Sequence, residues 1–286
     1  MHIINTQHSI VKINPFGAEL KSFNKNGNEI IWQSNPKIWN GSAPILFPFV
    51  GRLKNKKYIY NGKEYKMPKH GFASEQTFTV EKQQRDKISL ILKSTHKIKE
   101  SYPFKFLLRV IFSLHNDILS VNYEVENNDE HTMFFCLGSH PAISLPLNNT
   151  KLDDYYIEFE ENETLYPYKL VNELLKQQKQ AYLNNEKIIN LSENVFDDDA
   201  LIFSDIKSRN IYVKNDKNER NIKINIQHAP DLGIWAKPGA DYVCIEPWHG
   251  YDDTVDSTGI LEEKPGIIAL ESGKTFKTGY SIEALS

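Results

Sequence analysis

The 286-residue sequence has few cysteines, little net charge and no long apolar run. Cys136 and Cys244 are the only cysteines, and both lie in apolar, strand-like segments. This favours two buried free thiols over a disulfide, and hence a cytoplasmic protein. The formal net charge is -3, no long basic run occurs, and the apolar runs are too short for a membrane span. The amino-terminal residues also do not look like a secretory signal. We therefore expect neither nucleic acid nor a membrane as a partner.

Several motifs that mark common enzyme classes are also absent. The sequence contains no G-x-S-x-G elbow, no P-loop and no glycine-rich dinucleotide signature. No cysteine and histidine pairs have the spacing of a zinc site. Acyl, phosphoryl and hydride transfer therefore lose support, and we expect no metal and no cofactor.

The sequence does contain the alternation that is typical of β-strands. Apolar and polar side chains alternate through residues 119–126, which predicts a strand with one buried face. Residues 104–114 are more continuously apolar, as in a strand covered on both faces. Asn116-Asp117, Asn26-Gly27 and Asn61-Gly62 predict tight turns between strands. Further short strands are predicted at residues 88–92, 155–159, 201–203, 211–213, 222–226 and 267–270.

Helical periodicity is scarce. Residues 170–182 are the best candidate, and we predict a short surface helix or a long loop there. No internal repeat or flexible linker divides the chain. The length alone is compatible with two domains, but large β-sandwiches are often longer than average. Many short strands separated by polar turns predict an all-β fold, an antiparallel sandwich or barrel that forms a single domain over residues 1–286.

One carboxylate lies in an unusual setting. Residues 243–245 predict the buried end of a strand, and Glu246 follows directly before Pro247, which cannot continue a central strand. A strand end holds a catalytic group rigidly, and the neighbouring Trp248 is suited to a sugar face. The alternative is an ordinary surface acid paired with a lysine.

Two of the nine histidines lie in similar settings. His70 precedes a glycine that permits a tight turn, so its imidazole can project into a cleft. His140 follows a buried run and precedes a proline. The alternatives are a turn histidine bonded to backbone and a satisfied core histidine. His249 is either a spectator or a substrate contact. A carboxylate and a histidine together are suited to moving protons between oxygen atoms without a cofactor.

Five short segments, in this order, resemble the aldose 1-epimerase (galactose mutarotase) family, and in particular its subgroup that often accompanies lactose-utilisation genes. The segments are FPFVGRL at 47–53, KHGFA at 69–73, GSHPA at 138–142, FDDDALIF at 196–203 and CIEPWHG at 244–250. They extend over most of the chain. The resemblance implies a large antiparallel β-supersandwich with few short helices and a sugar-binding cleft across one sheet.

The resemblance also implies roles for individual residues. Glu246 matches the general base that removes the proton from the C1 hydroxyl, and His140 matches the general acid that protonates the ring oxygen. The ring then opens, the C1–C2 bond rotates, and reclosure gives the other anomer. His70 and Arg52 match residues that position the sugar. For Arg52 the alternative is a surface arginine.

The remaining assignments are less specific. The sugar-binding aspartate of the family falls in the run Asp197, Asp198 and Asp199, and we favour Asp199 because it directly precedes a predicted strand. Most acids of this run are expected to form a charged turn. Trp235 or Trp248 is expected to supply an aromatic wall.

Two features depart from the family pattern or extend it. The residues after Glu246 differ from those of the family's better-known members. A group of lysines also lies near Arg52 and His70 in sequence, and it is either solvated surface charge or a phosphate site, as in relatives that act on hexose 6-phosphates. The group comprises Lys54, Lys56, Lys57 and Lys69.

The leading hypothesis is a cofactor-independent aldose 1-epimerase that acts on a hexose or hexose phosphate, as a monomer or homodimer. The alternative is a non-catalytic carbohydrate-binding or sensing protein with the same fold. A lyase or hydrolase is a third possibility, but a hydrolase usually needs two opposed carboxylates. The discriminating observation is whether Glu246 and His140 meet in one cavity without a basic side chain paired to the glutamate.

Overall fold

The computed structural model describes residues 1–145, 152–192, 194–217 and 221–285, and within these ranges the chain is mostly antiparallel β-strand. The strands are β1 (His2–Asn5), β2 (Ser9–Asn14), β3 (Glu19–Lys25), β4 (Asn28–Glu29), β5 (Ile45–Leu46), β6 (Lys57–Tyr60), β7 (Lys63–Lys66), β8 (Thr79–Gln83), β9 (Lys87–Lys93), β10 (Phe106–His115), β11 (Ile118–Asn127), β12 (Met133–Phe135), β13 (Leu137–Ser139), β14 (Ala142–Ser144), β15 (Tyr155–Leu165), β16 (Tyr168–Val171), β17 (Leu174–Gln177), β18 (Leu183–Asn190), β19 (Leu201–Phe203), β20 (Asn210–Asn215), β21 (Ile222–Asn225), β22 (Asp231–Trp235), β23 (Tyr242–His249), β24 (Ile268–Leu270) and β25 (Thr275–Ala284).

Helical structure is limited to short pieces in the described part of the chain, as predicted. There is one short helix, α1 (His96–Ser101), in which the Thr95 side chain accepts a hydrogen bond from the Ile98 N–H at the amino-terminal end. Single 3₁₀ turns lie at Lys54–Lys56, Ala73–Glu75, Leu152–Asp154 and Leu261–Glu263.

Two large sheets organise the molecule. The scaffold sheet has nine strands in the order β18-β15-β20-β21-β25-β11-β10-β9-β8. The site sheet has eight strands in the order β17-β16-β19-β22-β23-β13-β5, and β14 also pairs with β23. One hydrophobic cluster contains buried side chains from both sheets, such as Phe112 of β10 and Ile245 of β23. Small sheets formed by β1–β4, β6–β7 and β12–β24 complete the fold.

The β10–β11 hairpin confirms the prediction from alternation. Asn116 and Asp117 form its turn with φ values of 48° and 60°. The second face of β10 is only half-buried, unlike the predicted strand covered on both faces. Arg109 lies on that face, where its guanidinium donates hydrogen bonds to Glu124 and Glu126 at 2.7 Å. A charged side chain there keeps the face in partial contact with water.

The other two predicted tight turns are also present. Asn26 and Gly27 join β3 to β4, and Asn61 and Gly62 join β6 to β7, all with positive φ. Both cysteines are buried and free, as expected. Among the described residues, no helix combines the length and the apolar character needed to cross a membrane.

The prediction for residues 170–182 is wrong. They contain most of an antiparallel hairpin, in which Leu170 of β16 pairs with Leu175 of β17. Asn172 and Glu173 form the turn with φ values of 51° and 67°. Asn-Glu is not a typical hairpin dipeptide, and the surrounding lysines and glutamines hide the short alternation. Packing of Leu175 into the interior stabilises this hairpin instead of a helix.

The predicted strand end before Glu246 is also wrong, because β23 continues through Glu246 and Pro247 to His249. On one side residues 244–248 pair with β22. On the other side β14 pairs with residues 242–244 and β13 with residues 248–249. Pro247 lies in the gap between those two partners, where no ladder hydrogen bond requires its missing N–H.

Candidate active site

A cavity with a volume of about 450 Å³ lies on one face of the site sheet. All six residues predicted to form the site line it: Arg52, His70, His140, Asp199, Trp235 and Glu246. The other lining residues mix aromatic, aliphatic and charged side chains: Trp39, Pro44, Leu46, Lys69, Ser74, Tyr168, Leu170, Leu175, Ala200, Ile202, Trp248 and Asp252. This combination of apolar walls and a few convergent polar groups is typical of a small-molecule site.

Glu246 lies in the middle of β23 and is 1% exposed. Its partner on β22 is Gly233, and a Cβ on that glycine would approach the Trp248 indole to 2.6 Å. The glycine therefore lets the indole cover the sheet beside the carboxyl group. Burial raises the pKa of Glu246 well above its usual value, and the nearby negative charges of Asp199 and Asp252 raise it further.

His140 lies between β13 and β14, in the chain segment that crosses beside Glu246. Its Nε2 is 3.3 Å from Oε2 of Glu246. The imidazole packs against two indoles, with ring centroids 5.0 Å from Trp39 and 5.7 Å from Trp235. Burial in this aromatic setting lowers the pKa of His140 to about 3, and the positive charge of Lys69 acts in the same direction. The imidazole is therefore neutral near neutral pH.

Several polar atoms of this site are buried without a hydrogen bond of normal geometry. They are Oε2 of Glu246, Nδ1 of His140 and Nε1 of Trp248. The indole N–H of Trp248 is close enough to lower the pKa of Glu246, but its alignment is too poor for a regular hydrogen bond. Buried polar groups in native proteins normally have partners. Their concentration around one cavity indicates a site for a ligand with hydroxyl groups.

His70 lies in the left-handed backbone region, with φ of 65°. Its Nδ1 accepts a hydrogen bond from the Gly51 N–H at 3.0 Å, and its own N–H donates to the Gly51 carbonyl at 2.8 Å. Burial lowers the pKa of His70 well below its usual value, so the neutral form dominates. Because Nδ1 is an acceptor, the proton of the neutral ring is on Nε2. His70 is thus both a turn histidine bonded to backbone, which was the alternative interpretation, and a cavity residue whose Nε2–H can donate to a ligand.

Arg52 lies between two carboxylates. Its guanidinium nitrogens are 3.7 Å from Asp252 and 3.9 Å from Asp199. Asp252 is 3% exposed, and its Oδ1 accepts the Arg52 backbone N–H at 2.8 Å. A Cβ at Gly51 would come within 1.9 Å of the Asp252 carboxylate, so only glycine fits beside it. Asp252 and Asp199 thereby hold the planar guanidinium of Arg52 in place.

The acid run before β19 divides as predicted into a cavity residue and a charged turn. Asp199 has a φ of 78° and lines the cavity. Asp198 forms an ion pair with Lys169 at 2.8 Å and is mostly exposed. Asp197 does not line the cavity. The structure therefore places Asp199, and not its neighbours, beside Arg52.

Trp39, Tyr168 and Asp252 are among the cavity residues that sequence reasoning missed. None of them lies in a segment with a clear pattern, and Asp252 was simply part of an acidic stretch. Both indoles considered as a wall, Trp235 and Trp248, line the cavity. His249 does not line this cavity, and its Nε2 lies 2.8 Å from Oγ1 of Thr278.

His140, Cys244 and Glu246 form the group that resembles a metal site in the described part of the chain. Their ligand atoms lie within 4.8 Å of one another. Burial raises the pKa values of both the Cys244 thiol and the Glu246 carboxyl well above their usual values. Their protonated forms are poor metal ligands, because zinc binds the thiolate and the carboxylate. This donor set does not fit a resident metal.

Comparisons with known proteins agree with this geometry. A galactose mutarotase-related enzyme from Lactobacillus acidophilus is 36% identical, with a TM-score of 0.95 over 100% of this chain and 97% of that chain. A galactose mutarotase-like protein from Lactobacillus casei, 24% identical, shares the fold with a TM-score of 0.91 over 100% of both chains. The plasmid form of protein LacX from Lactococcus lactis is 30% identical over 295 residues, which cover 99% of each chain.

The sequence profile of the aldose 1-epimerase family matches residues 1–283. The predicted supersandwich, the isomerase class and the mutarotase function are confirmed at the level of the family. Over nearly its whole length, therefore, this chain belongs to the aldose 1-epimerase family.

Proposed function

We propose that this protein is a cofactor-independent mutarotase that interconverts the α and β anomers of a hexose or hexose phosphate. The observation that carries the proposal is the 3.3 Å approach of His140 Nε2 to Glu246 Oε2 inside one cavity. Ring opening of a pyranose requires a proton to leave the C1 hydroxyl and another to reach the ring oxygen. A carboxyl group and an imidazole facing one another can perform both transfers.

The charge state of the pair supports this role. Burial raises the pKa of Glu246 well above its usual value and lowers that of His140 to about 3, so burial favours the form of the pair whose single proton is on the carboxyl group. A carboxylate facing an imidazolium contains the same single proton. Substrate hydroxyls that donate to the carboxylate replace its lost hydration and favour this ionised form. The pair therefore exchanges between its two forms without taking a proton from solvent.

From the ionised form, Glu246 removes the C1 hydroxyl proton while His140 delivers its proton to the ring oxygen. The C1–O5 bond breaks and the open-chain aldehyde forms. After rotation about C1–C2, ring closure returns one proton to O1 and one to His140. No net proton is consumed, and each group acts once as acid and once as base. General acid–base groups of this kind contribute roughly 10²–10⁴-fold each.

The surrounding residues are suited to hold the sugar. The Nε2 proton of His70 is available to a sugar oxygen, because its Nδ1 is occupied by the Gly51 N–H. Arg52 and Asp199 present a donor and an acceptor to neighbouring hydroxyls. Trp235 supplies an apolar wall for the carbon face of the ring. Holding the ring against the acid–base pair adds to the rate by orientation.

The positions of the lysines bear on whether the substrate is a hexose or a hexose phosphate. Lys54 donates to the Val255 and Ser257 carbonyls, and Lys57 forms an ion pair with Glu64, so neither serves a phosphate. Lys69 lines the cavity. It is therefore the lysine of the group that supports a phosphorylated substrate, and both substrate classes are included in the proposal.

The alternative of a non-catalytic sugar-binding protein is less well supported. Within the described ranges, no lysine or arginine forms an ion pair with Glu246, and the titratable group beside it is His140. A carboxyl group that only bound sugar would not require a second titratable group beside it. The geometry of this pair favours chemistry over binding alone.

Exchange NMR on a panel of aldoses and their 6-phosphates tests the proposal. We expect the wild-type protein to transfer magnetisation between α and β anomers of at least one sugar. The Glu246→Gln variant is expected to lose this exchange while saturation transfer from protein to sugar persists. Near-normal exchange by Glu246→Gln would refute the role of the carboxylate, and absence of any response would refute the proposal as a whole.

We further propose that the protein is cytoplasmic, forms a single domain over residues 1–286 and exists as a monomer or homodimer. Two buried free thiols support a reducing location. One hydrophobic cluster shared by both large sheets supports the single domain. Light scattering of the purified protein measures the oligomeric state, and a trimer or larger assembly would contradict the proposal.

A further inference from the structure

A second cavity, with a volume of about 420 Å³, lies next to the first. Tyr168 lines both cavities and separates them. The second cavity is otherwise lined by different side chains, chiefly Gln177, Ser204, Asp231 and Tyr251. The residues of the acid–base pair belong to the first cavity alone. The second cavity is thus a neighbouring space that does not contain the Glu246–His140 pair, although His249 and two aspartates line it.

The strand register places the two cavities on the same face of the site sheet. Gly233 pairs with Glu246, and Asp231 pairs with Trp248. Side chains two residues apart on a strand point to the same face, so Asp231 faces the same side as Glu246. Two residues span roughly 7 Å along a strand. The second cavity therefore begins about one sugar ring further along the sheet.

The second cavity has an aromatic wall. The rings of Tyr168 and Tyr251 pack with centroids 5.1 Å apart, and their hydroxyl oxygens are 3.4 Å apart. Tyr251 is only partly buried, so part of its ring faces the cavity. An aromatic ring with a polar hydroxyl combines an apolar surface with a hydrogen-bonding edge, as the carbon face and hydroxyls of a sugar require.

The polar groups of this cavity are acidic or neutral. Asp231 is 4% exposed, and its Oδ2 accepts the Gly250 N–H at 2.8 Å. Asp205 also lines the cavity, whereas no lysine or arginine of the described residues does, and burial lowers the pKa of the lining His249 to about 4, so its imidazole is neutral. An anionic ligand would be repelled by this charge. A neutral polyol can instead donate hydroxyls to the carboxylates and bond to the amide of Gln177 and the hydroxyl of Ser204.

We propose that the second cavity is a subsite for a second, uncharged sugar ring, so that the preferred substrate is a reducing disaccharide. Its reducing ring lies against the Glu246–His140 pair, and its other ring lies against Tyr251 and Asp231. This inference rests on the proposed mutarotase function and specifies its substrate. It requires no new chemistry, because only the reducing ring opens.

Anomer-exchange kinetics on glucose and on disaccharides with glucose at the reducing end test this inference. The panel comprises maltose, cellobiose, lactose and isomaltose, which differ in linkage and in the second ring. We expect KM for at least one disaccharide to be about tenfold lower than KM for glucose, with similar kcat. This pattern corresponds to binding energy gained from a part of the substrate that does not react.

A matched pair of variants locates the effect. Gln177→Ala removes an amide that lines the second cavity, whereas Gln178→Ala removes a neighbouring amide that bonds the Lys176 carbonyl and lines neither cavity. We expect Gln177→Ala to raise KM for the preferred disaccharide about fivefold relative to KM for glucose. Gln178→Ala is expected to leave that ratio unchanged.

The outcomes separate this inference from the proposed function. Exchange of glucose without any advantage for a disaccharide overturns the second subsite and leaves the mutarotase function intact. If Gln177→Ala and Gln178→Ala change the KM of the disaccharide relative to glucose equally, the proposed location of the second subsite is also overturned. Failure to exchange any monosaccharide or disaccharide overturns both.

Discussion

The two large sheets of this protein differ in whether a buried glutamate is hydrogen-bonded. In the scaffold sheet, Glu163 is 1% exposed, and its Oε1 accepts hydrogen bonds from the Ser208 N–H at 2.7 Å and the Lys207 N–H at 3.1 Å. In the site sheet, Glu246 is equally buried, but its Oε2 has no regular hydrogen bond within the described ranges. The same residue type is thus satisfied by the fold in one sheet and left for a ligand in the other.

Backbone conformation shows a related contrast. In the scaffold sheet, left-handed Asn116 and Asp117 form an ordinary hairpin turn. Beside the site sheet, left-handed His70 and Asp199 bring functional side chains into the cavity. A strained conformation of a non-glycine residue persists only where its surroundings hold it. The comparison teaches that left-handed residues only close a turn in the scaffold sheet, whereas beside the site sheet they bring His70 and Asp199 to a cavity whose glutamate, Glu246, lies on a regular strand.

Replacing a buried glutamate by glutamine in each sheet should separate a role in catalysis from a role in stability. We expect Glu246→Gln to lower kcat/KM for anomer exchange by roughly 10²–10⁴-fold, because it removes the proton acceptor. Glu163→Gln should leave kcat/KM nearly unchanged and lower the free energy of unfolding by about 1–3 kcal/mol, because it weakens charge-assisted hydrogen bonds. Exchange kinetics and urea unfolding of both variants measure the two effects. Similar losses of kcat/KM in both variants would break the comparison.

A cavity in the scaffold sheet should affect stability alone. Phe112 is 1% exposed, lies on β10 of the scaffold sheet and does not line the cavity that contains Glu246. We expect Phe112→Ala to lower the free energy of unfolding by about 3–5 kcal/mol through lost burial and the cavity left behind. Calorimetry and urea unfolding check the loss. A change in KM of the folded enzyme would show that the two sheets are coupled.

The pH dependence of the free energy of unfolding should show how much the burial of Asp231 in the site sheet costs. Burial raises its pKa from 3.8 to about 6. A raised folded-state pKa favours the protonated form, so the folded protein loses stability as the pH rises from about 4 through about 6, by about 3 kcal/mol in total. Asp231→Asn should lack this dependence. Urea unfolding at both ends of this range tests it, and parallel pH curves for wild type and variant would contradict the prediction.

The pH profile of catalysis should show the smallest change. The Glu246–His140 pair holds one proton from about pH 3, where His140 titrates, up to the raised pKa of Glu246. We therefore expect kcat/KM to vary less than about twofold across the pH range between these two pKa values, after subtraction of the spontaneous rate. A loss of activity centred near pH 6.5 would instead indicate an ordinary histidine as the acid.

Much of the local structure was predictable from the sequence. Alternation identified the β10–β11 hairpin, and asparagine-glycine pairs identified two turns. The short segments around Arg52, His70 and His140 were sufficient to name cavity residues. The β16–β17 hairpin was missed, because its turn has no glycine and its burial depends on Leu175 packing. A local pattern cannot reveal burial that is caused by distant parts of the chain.

Side-chain alternation and the backbone preferences of single residues were enough to predict the strands and most turns. The chemical roles of the site residues came from the short segments that resemble the aldose 1-epimerase family. Other features could be seen only in the tertiary structure. Asp252 contacts Arg52, which lies 200 residues away in the sequence, Trp39 packs on His140, and β23 continues through Glu246. These contacts follow from strand register and sheet packing, which fix positions in space that neighbouring residues in the chain do not specify.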